Sequence, residues 1–256
     1  FIKMKIVIIT QEDRFFLPDS INILVSQLNE NHNVCAAVVS DVSPFGKKES
    51  LLAKGKKTLN IFGLSFTLRW ALKYVFAILK GISVTAVLKK HNVDILNLEN
   101  SINHEDSLRK INFYKPDLLI SVAGNEIFKT PLINLAPNGC LNLHTALLPK
   151  YRGLMPSFWV LRYKEKKTGV SVFKVDEGID SGPIIVQKEV KIEGESQEQL
   201  ILKTKQLGIS AIVEAVDKVE KGYIKFMPNN DDDMTYFSFP TKNDVKEFLK
   251  NGNRFF

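Results

Sequence analysis

Lys5-Ile6-Val7-Ile8-Ile9 is an apolar, β-branched run without alternation, which suits a parallel strand buried on both faces. Pro18 to Asn31 follows with Ile21, Leu24, Val25 and Leu28 at helical spacing, and Cys35 to Val39 returns to a strand pattern. The alternation continues outward. Val93 to Leu98, Asp117 to Val122 and Gly139 to Leu143 read as strands, with helices over about His104 to Phe113 and Pro156 to Lys164. Gly169 to Val175 and Ile184 to Ile192 read as two more strands, and Ser196 to Lys221 as a long helix that Gly222 stops. This pattern predicts an α/β fold, a Rossmann-like, mostly parallel sheet with helices on both faces. One domain is expected over 1–222, with a short C-terminal extension over 223–256 packing on it, and Met4 reads as the natural start.

The turn after the first strand is Thr10-Gln11-Glu12-Asp13, so neither the Gly-x-Gly-x-x-Gly fingerprint of dinucleotide binding nor a Walker loop stands there. A chain of 256 residues, 45% hydrophobic and 25% charged, is an ordinary folded globule that needs no staples. Cys35 and Cys140 lie far apart in apolar stretches and read as buried free thiols, which suits a reducing cytoplasm. A net charge of +7 points to anionic ligands. The lysines at Lys47-Lys48 and Lys54 to Lys57 read as a solvated loop, and no basic-aromatic interleaving of the nucleic-acid kind is present.

Ile61 to Ile82 is apolar enough to raise the question of a membrane. Arg69, Lys73 and Lys80 share one helical face within it, so an amphipathic helix packed on the domain, or two short ones, is expected rather than a span, with an interfacial helix as the alternative. His32, His91 and His104 read as surface or cap residues, and no spacing suggests a zinc site.

Two segments carry chemistry. Asn142-Leu143-His144 places an amide and an imidazole two residues apart on a strand, hence on one face. They sit at the strand's carboxyl end, where open α/β sheets hold their ligands. Asp176-Glu177-Gly178-Ile179-Asp180-Ser181-Gly182-Pro183 is an acidic, glycine-rich turn between strands.

Taken together, Asn-Leu-His-x-x-Leu-Leu-Pro-Lys-Tyr-Arg-Gly and Asp-Glu-Gly-Ile-Asp-Ser-Gly-Pro-Ile closely resemble the folate-dependent formyltransferase family over about Asp117 to Lys221. The resemblance implies a catalytic trio of Asn142, His144 and Asp180, with N10-formyltetrahydrofolate as co-substrate and no metal. It implies that Asn142 and a protonated His144 stabilise the oxyanion formed when an amine attacks the formyl carbon. Asp180 would hold the imidazole and relay the amine's proton. It also implies a pterin site at Gly124, Asn125, Glu126 and Ile127, read through backbone groups, with Leu147 and Leu148 helping to form the pocket.

For the acceptor, the tail Thr235 to Thr241 and the Leu-Pro-Lys-Tyr-Arg-Gly run look most like sugar-nucleotide N-formyltransferases. The expected partner is a nucleotide-linked amino deoxysugar, formylated for surface polysaccharide biosynthesis such as lipopolysaccharide O-antigen. Gln11, Tyr151, Arg152, Tyr236 and Phe237 are the expected substrate-binding residues. Tyr236 and Phe237 would stack on the base, Phe239 is expected in the core, and Arg152 would meet the pyrophosphate or carry a structural hydrogen bond. The alternatives are a methionyl-tRNA or glycinamide ribonucleotide formyltransferase and, in a different class, a non-catalytic binding module. About 35 residues after the long helix are too few for the tRNA-binding barrel of methionyl-tRNA enzymes, so no nucleic-acid partner and no integral membrane span are expected. A homodimer is compatible with this reading.

Overall fold

The computed structural model describes residues 3–43 and 49–256, so the expected Lys47-Lys48 loop lies outside the described residues. Strand β1 (Lys5–Gln11) is followed by α1 (Pro18–Asn31), β2 (Asn33–Ser40), α2 (Leu51–Phe62), α3 (Leu64–Leu79), α4 (Val84–Lys90) and β3 (Asp94–Leu96). Then come α5 (Glu105–Asn112), β4 (Leu118–Val122), α6 (Thr130–Ile133), β5 (Cys140–His144), β6 (Arg152–Gly153) and α7 (Pro156–Arg162). The chain closes with β7 (Lys167–Lys174), β8 (Ile184–Lys191), α8 (Gln197–Glu220), β9 (Tyr236–Phe237) and α9 (Lys242–Lys250).

A seven-stranded sheet runs in the order β3-β2-β1-β4-β5-β7-β8. The first five are parallel, while β7 pairs antiparallel with both β5 and β8. This is the Rossmann-like, mostly parallel architecture, with an antiparallel edge that apolar strand runs do not reveal. Successive side chains of β1 go to opposite faces. Ile6 and Ile8 join a core with Leu24, Val25 and Ile212 from α1 and α8. Val7 and Ile9 join a second core with Ile111 and Leu132 from α5 and α6. Helices thus cover both faces, and the strand order reverses between β1 and β4, which opens a crevice at their carboxyl ends.

α8 starts with a capping box, in which Ser196 and Gln199 satisfy each other's orphan backbone donors. The 223–256 segment packs on the body. β9 pairs with β6, and Phe248 of α9 stacks on Phe158 of α7, both rings fully buried.

The 61–82 segment spans two helices broken at Gly63, one of the two expected forms, but the face turned to the body is not the apolar one alone. Phe66, Trp70 and Ala77 do face inward, but so do the basic groups. Arg69 lies over the Phe256 ring and Lys73 pairs with Glu198. Leu64, Leu68, Leu72, Val75 and Leu79 face outward, each more than half exposed. Of the cysteines, Cys140 is buried and Cys35 only half-buried, both free.

Candidate active site

Gln11 at the end of β1, Ser121 to Phe128 after β4, and Asn142 to Thr145 at the end of β5 line one cleft of about 430 Å³. The opposite wall is Gly153 to Pro156 and the loop 176–180.

Asn142 and His144 project from the same face of β5 into this cleft, and the loop after β7 brings Asp180 against them. His144 is buried. Its Nε2–H donates to the Tyr151 carbonyl at 2.7 Å, and its Nδ1 lies 3.5 Å from Asp180 Oδ2. Both ring nitrogens face oxygen, so pairing with both takes a proton on each. The gap to Asp180 is long for a direct hydrogen bond and suits a bridging water or amine. The Asn142 amide has no hydrogen-bond partner among the described residues, which leaves its donors open to the cleft.

The acidic turn earns its composition. Asp176 accepts from Ser181 Oγ at 2.6 Å and from Gly178 N–H at 3.1 Å, closing the loop on itself. Asp180 sits at φ +51, a left-handed conformation costing about 1–3 kcal/mol, and is held there from two sides. Gly153 N–H donates to its carboxylate at 2.8 Å, and the Asn229 amide donates to its carbonyl at 2.9 Å. Ala123, Tyr151 and Met155 also take positive φ around the cleft. Strain concentrated in this way marks functional loops more often than structural ones. A Cβ on Gly182 would meet the Lys174 carbonyl at 1.8 Å, so the turn admits only glycine.

The other expected residues divide. Gln11, Gly124, Asn125, Glu126 and Ile127 line the cleft. The side chains of Asn125 and Glu126 are engaged by protein groups: Asn125 bonds Ser40 and Asp41, and Glu126 accepts from Ser101 and the Ile102 backbone.

Leu147, Leu148, Tyr151, Arg152, Tyr236 and Phe237 do not line it. Leu148 is core beside Phe173 and Ile184, while Leu147 fills the space over Gly169. Tyr151 donates to Glu165 at 2.6 Å, and burial followed by that carboxylate pushes its phenol up. Arg152 is buried and spans Asp231 and Asn229 with bonds of 2.8–3.0 Å, which fastens the tail to the cleft wall. The Phe237 ring is stacked on both Tyr151 and Trp159 and offers no free face to a base. Tyr236 is 43% exposed outside the cleft. Arg152→Ala is therefore expected to cost about 1–3 kcal/mol of stability in urea unfolding, through lost hydrogen bonds.

His32 caps the end of α1 as expected but is buried rather than on the surface. Among the described residues its ring nitrogens have no hydrogen-bond partner, and Asp217 and Glu220 nearby make no ion pair with it. His104 does cap α5.

Among the lining residues that sequence reasoning missed, two could bind a ligand. Phe239, expected in the core, presents its ring to the cleft. Lys205 reaches the cleft from α8, where a helical lysine reads as solvated. Burial pushes its ammonium below the ordinary lysine range, with Asp13 acting the other way.

Residues 75–216 match the formyl transferase family. The methionyl-tRNA formyltransferase of Kosmotoga olearia is 36% identical over 176 residues, 68% of this chain and 56% of its own. That of Thermodesulfovibrio yellowstonii is 38% identical over 151 residues, 59% and 49% of the respective chains. The chain thus spans about half the length of the curated relatives it matches. Among solved structures, glycinamide ribonucleotide transformylase from Symbiobacterium toebii superposes with a TM-score of 0.63 at 17% identity, over 89% of this chain and 92% of that one. The N-formyltransferase from Helicobacter canadensis, in complex with folinic acid and dTDP-3-aminofucose, superposes at 0.59 with 16% identity, over 96% and 79%. At such identities the structures share the fold.

Proposed function

Because the chain belongs to the formyl transferase family, we propose that it moves a formyl group from N10-formyltetrahydrofolate to the amine of a nucleotide-linked amino sugar. The observation that carries the transfer is the His144–Asp180 pair at 3.5 Å beside the unpartnered Asn142 amide, on the floor of one cleft. The donor supplies an electrophilic formyl carbon. Its flat ring suits the wall after β4, where the Asn125 and Glu126 side chains are already engaged by protein groups and the backbone is left to read a ligand. The Asn142 amide and the His144 imidazolium donate to the oxygen that gains negative charge as the amine adds. Asp180 balances the imidazolium and accepts the amine's proton through the gap between them; as the tetrahedral adduct collapses, the bond from the formyl carbon to N10 breaks, that proton passes to N10 and tetrahydrofolate leaves.

The acceptor reading rests on the rest of the cleft. Half-buried Lys205 supplies a positive charge at the cleft, which fits a diphosphate, and Phe239 supplies an aromatic side chain there for apolar contact with a base. It agrees with the Helicobacter canadensis neighbour, solved with a dTDP-linked amino sugar. Methionyl-tRNA is the second reading, favoured by the 36–38% identity to enzymes of that name. Rates of formyl transfer to nucleotide-linked amino sugars, glycinamide ribonucleotide and methionyl-tRNA decide between them. Turnover is expected on an amino sugar, and faster turnover on charged initiator tRNA would overturn the acceptor.

Lys205→Met should weaken an anionic acceptor by about 1.5–3 kcal/mol, the range for a hydrogen bond to a charged group. The same change should stabilise the fold. A lysine whose pKa is lowered on folding costs stability wherever it stays charged, and the cost fades as pH rises through the lowered pKa. Melting the variant at neutral pH should therefore show a higher Tm than the parent, with the difference shrinking above that pH.

A further inference from the structure

The charge of this chain is not spread evenly. Residues 50–93 hold eight of its 35 basic residues and none of its 28 acidic ones, so this stretch carries +8 and the rest of the chain −1. The same stretch holds the exposed apolar surface. Among the described residues, 11 of the 23 exposed large hydrophobic side chains fall between Leu51 and Ile82.

On α3 they form a stripe. Leu64, Leu68, Leu72, Val75 and Leu79 are 53–79% exposed at spacings of three and four, hence on one face. Only 17% of the most apolar window of this segment is buried, so it is not a core helix. A transmembrane helix needs about 20 residues, and α3 has 16 before Gly81 turns the chain. Its inner face is also committed to the body through Phe66, Trp70, Lys73 and Arg69. A helix held along one side, apolar along the other and set in a basic stretch can only lie flat on its partner.

We propose that the α2–α3 hairpin docks this protein on an anionic lipid surface, with the Leu64–Leu79 stripe in the acyl boundary and the surrounding lysines on the headgroups. Charge selects this occupant. Lys57 pairs with Glu49 and Lys73 with Glu198, which leaves six of the eight charges unopposed by an ion pair among the described residues, and a second copy packed through the same face would set one such basic stretch against another. A nucleic acid would meet the lysines but leave the leucines wet. The docking face adjoins the cleft, since Phe62 of α2 packs edge-on against Phe239 at 5.9 Å and Lys57 lies over that ring.

The test is co-sedimentation of the full chain with vesicles of phosphatidylglycerol and phosphatidylcholine, against phosphatidylcholine alone. The double variant L68E/L72E and a sedimentation-velocity run without lipid complete it. Both leucines are exposed, so the variant should keep the parent's circular dichroism and melting. Binding to the anionic vesicles is expected, falling with salt, at least about tenfold weaker to neutral vesicles and about tenfold weaker for the variant. Protein left in the supernatant with anionic vesicles would overturn the proposal, as would undiminished binding by the variant. A lipid-free dimer that the variant dissolves would assign the face to self-association instead.

Discussion

His144→Ala, Asn142→Ala and Asp180→Asn should each fold as the parent does and lose turnover by about 10²–10⁴-fold, the range of positioned acid–base and oxyanion groups. The three should not fail in the same way. The Asn142 side chain makes no hydrogen bond with the described residues, so its loss removes only contacts made to the reacting group and should leave stability untouched. His144 gives up the 2.7 Å bond to the Tyr151 carbonyl, which adds a stability cost of about 1 kcal/mol to the catalytic loss. Asp180→Asn keeps an oxygen for Gly153 N–H, and asparagine tolerates the left-handed backbone at φ +51. Only the charge is removed, so a folded variant with depressed kcat isolates the electrostatic part of the role. Steady-state rates with urea unfolding on the same preparations separate chemistry from stability.

Gly153→Ala should be the most damaging change outside the trio. Gly153 stands at φ +95, and a Cβ there would lie 2.3 Å from the Phe237 carbonyl. The short β6–β9 pair must therefore open, and with it the Leu154 N–H bond to that carbonyl at 2.8 Å. Gly153 N–H is also the donor that holds Asp180, so the catalytic carboxylate loses its anchor. The expected cost is about 2–4 kcal/mol of stability from strain and lost hydrogen bonds. Turnover should fall about 10²-fold from a displaced Asp180. Gly252→Ala is the control, because Gly252 stands at φ +83 with open space around its Cβ position. It should pay backbone strain of about 1–2 kcal/mol and leave turnover unchanged. Equal turnover in the two variants would mean that β6–β9 does not support the site.

Much of this arrangement is written locally. Ile6 to Ile9 announce a strand buried on both faces, and Asn142 and His144 share a face because strands repeat every two residues. What needed three dimensions depends on partners distant in the chain. β7 and β8 read as strands from their apolar residues, but their antiparallel direction follows from the turn over 175–183 that joins them, which hydropathy does not encode. Arg152 read equally as a pyrophosphate ligand or a structural donor, and Asn229 and Asp231, 77 and 79 residues away, give it the structural role. Phe237 and Phe239 point opposite ways, so the ring expected to stack on a base is locked between Tyr151 and Trp159, and the one expected in the core lines the cleft. On α3, the lysine and arginine face read as the solvent side. Glu198 and the Phe256 ring draw Lys73 and Arg69 to the body and leave the leucines outside.

Incubating the protein with N10-formyltetrahydrofolate isotope-labelled in the formyl group tests the central claim most directly. An amino-sugar nucleotide is added, and label is followed into the acceptor amide by NMR. The parent protein should build a labelled formamide on the sugar nitrogen, and folded His144→Ala should build it at least about 10²-fold more slowly. No labelled amide on any amine supplied, or equal rates for the two proteins, would contradict the assignment of His144, Asn142 and Asp180 as the formyl-transfer machinery.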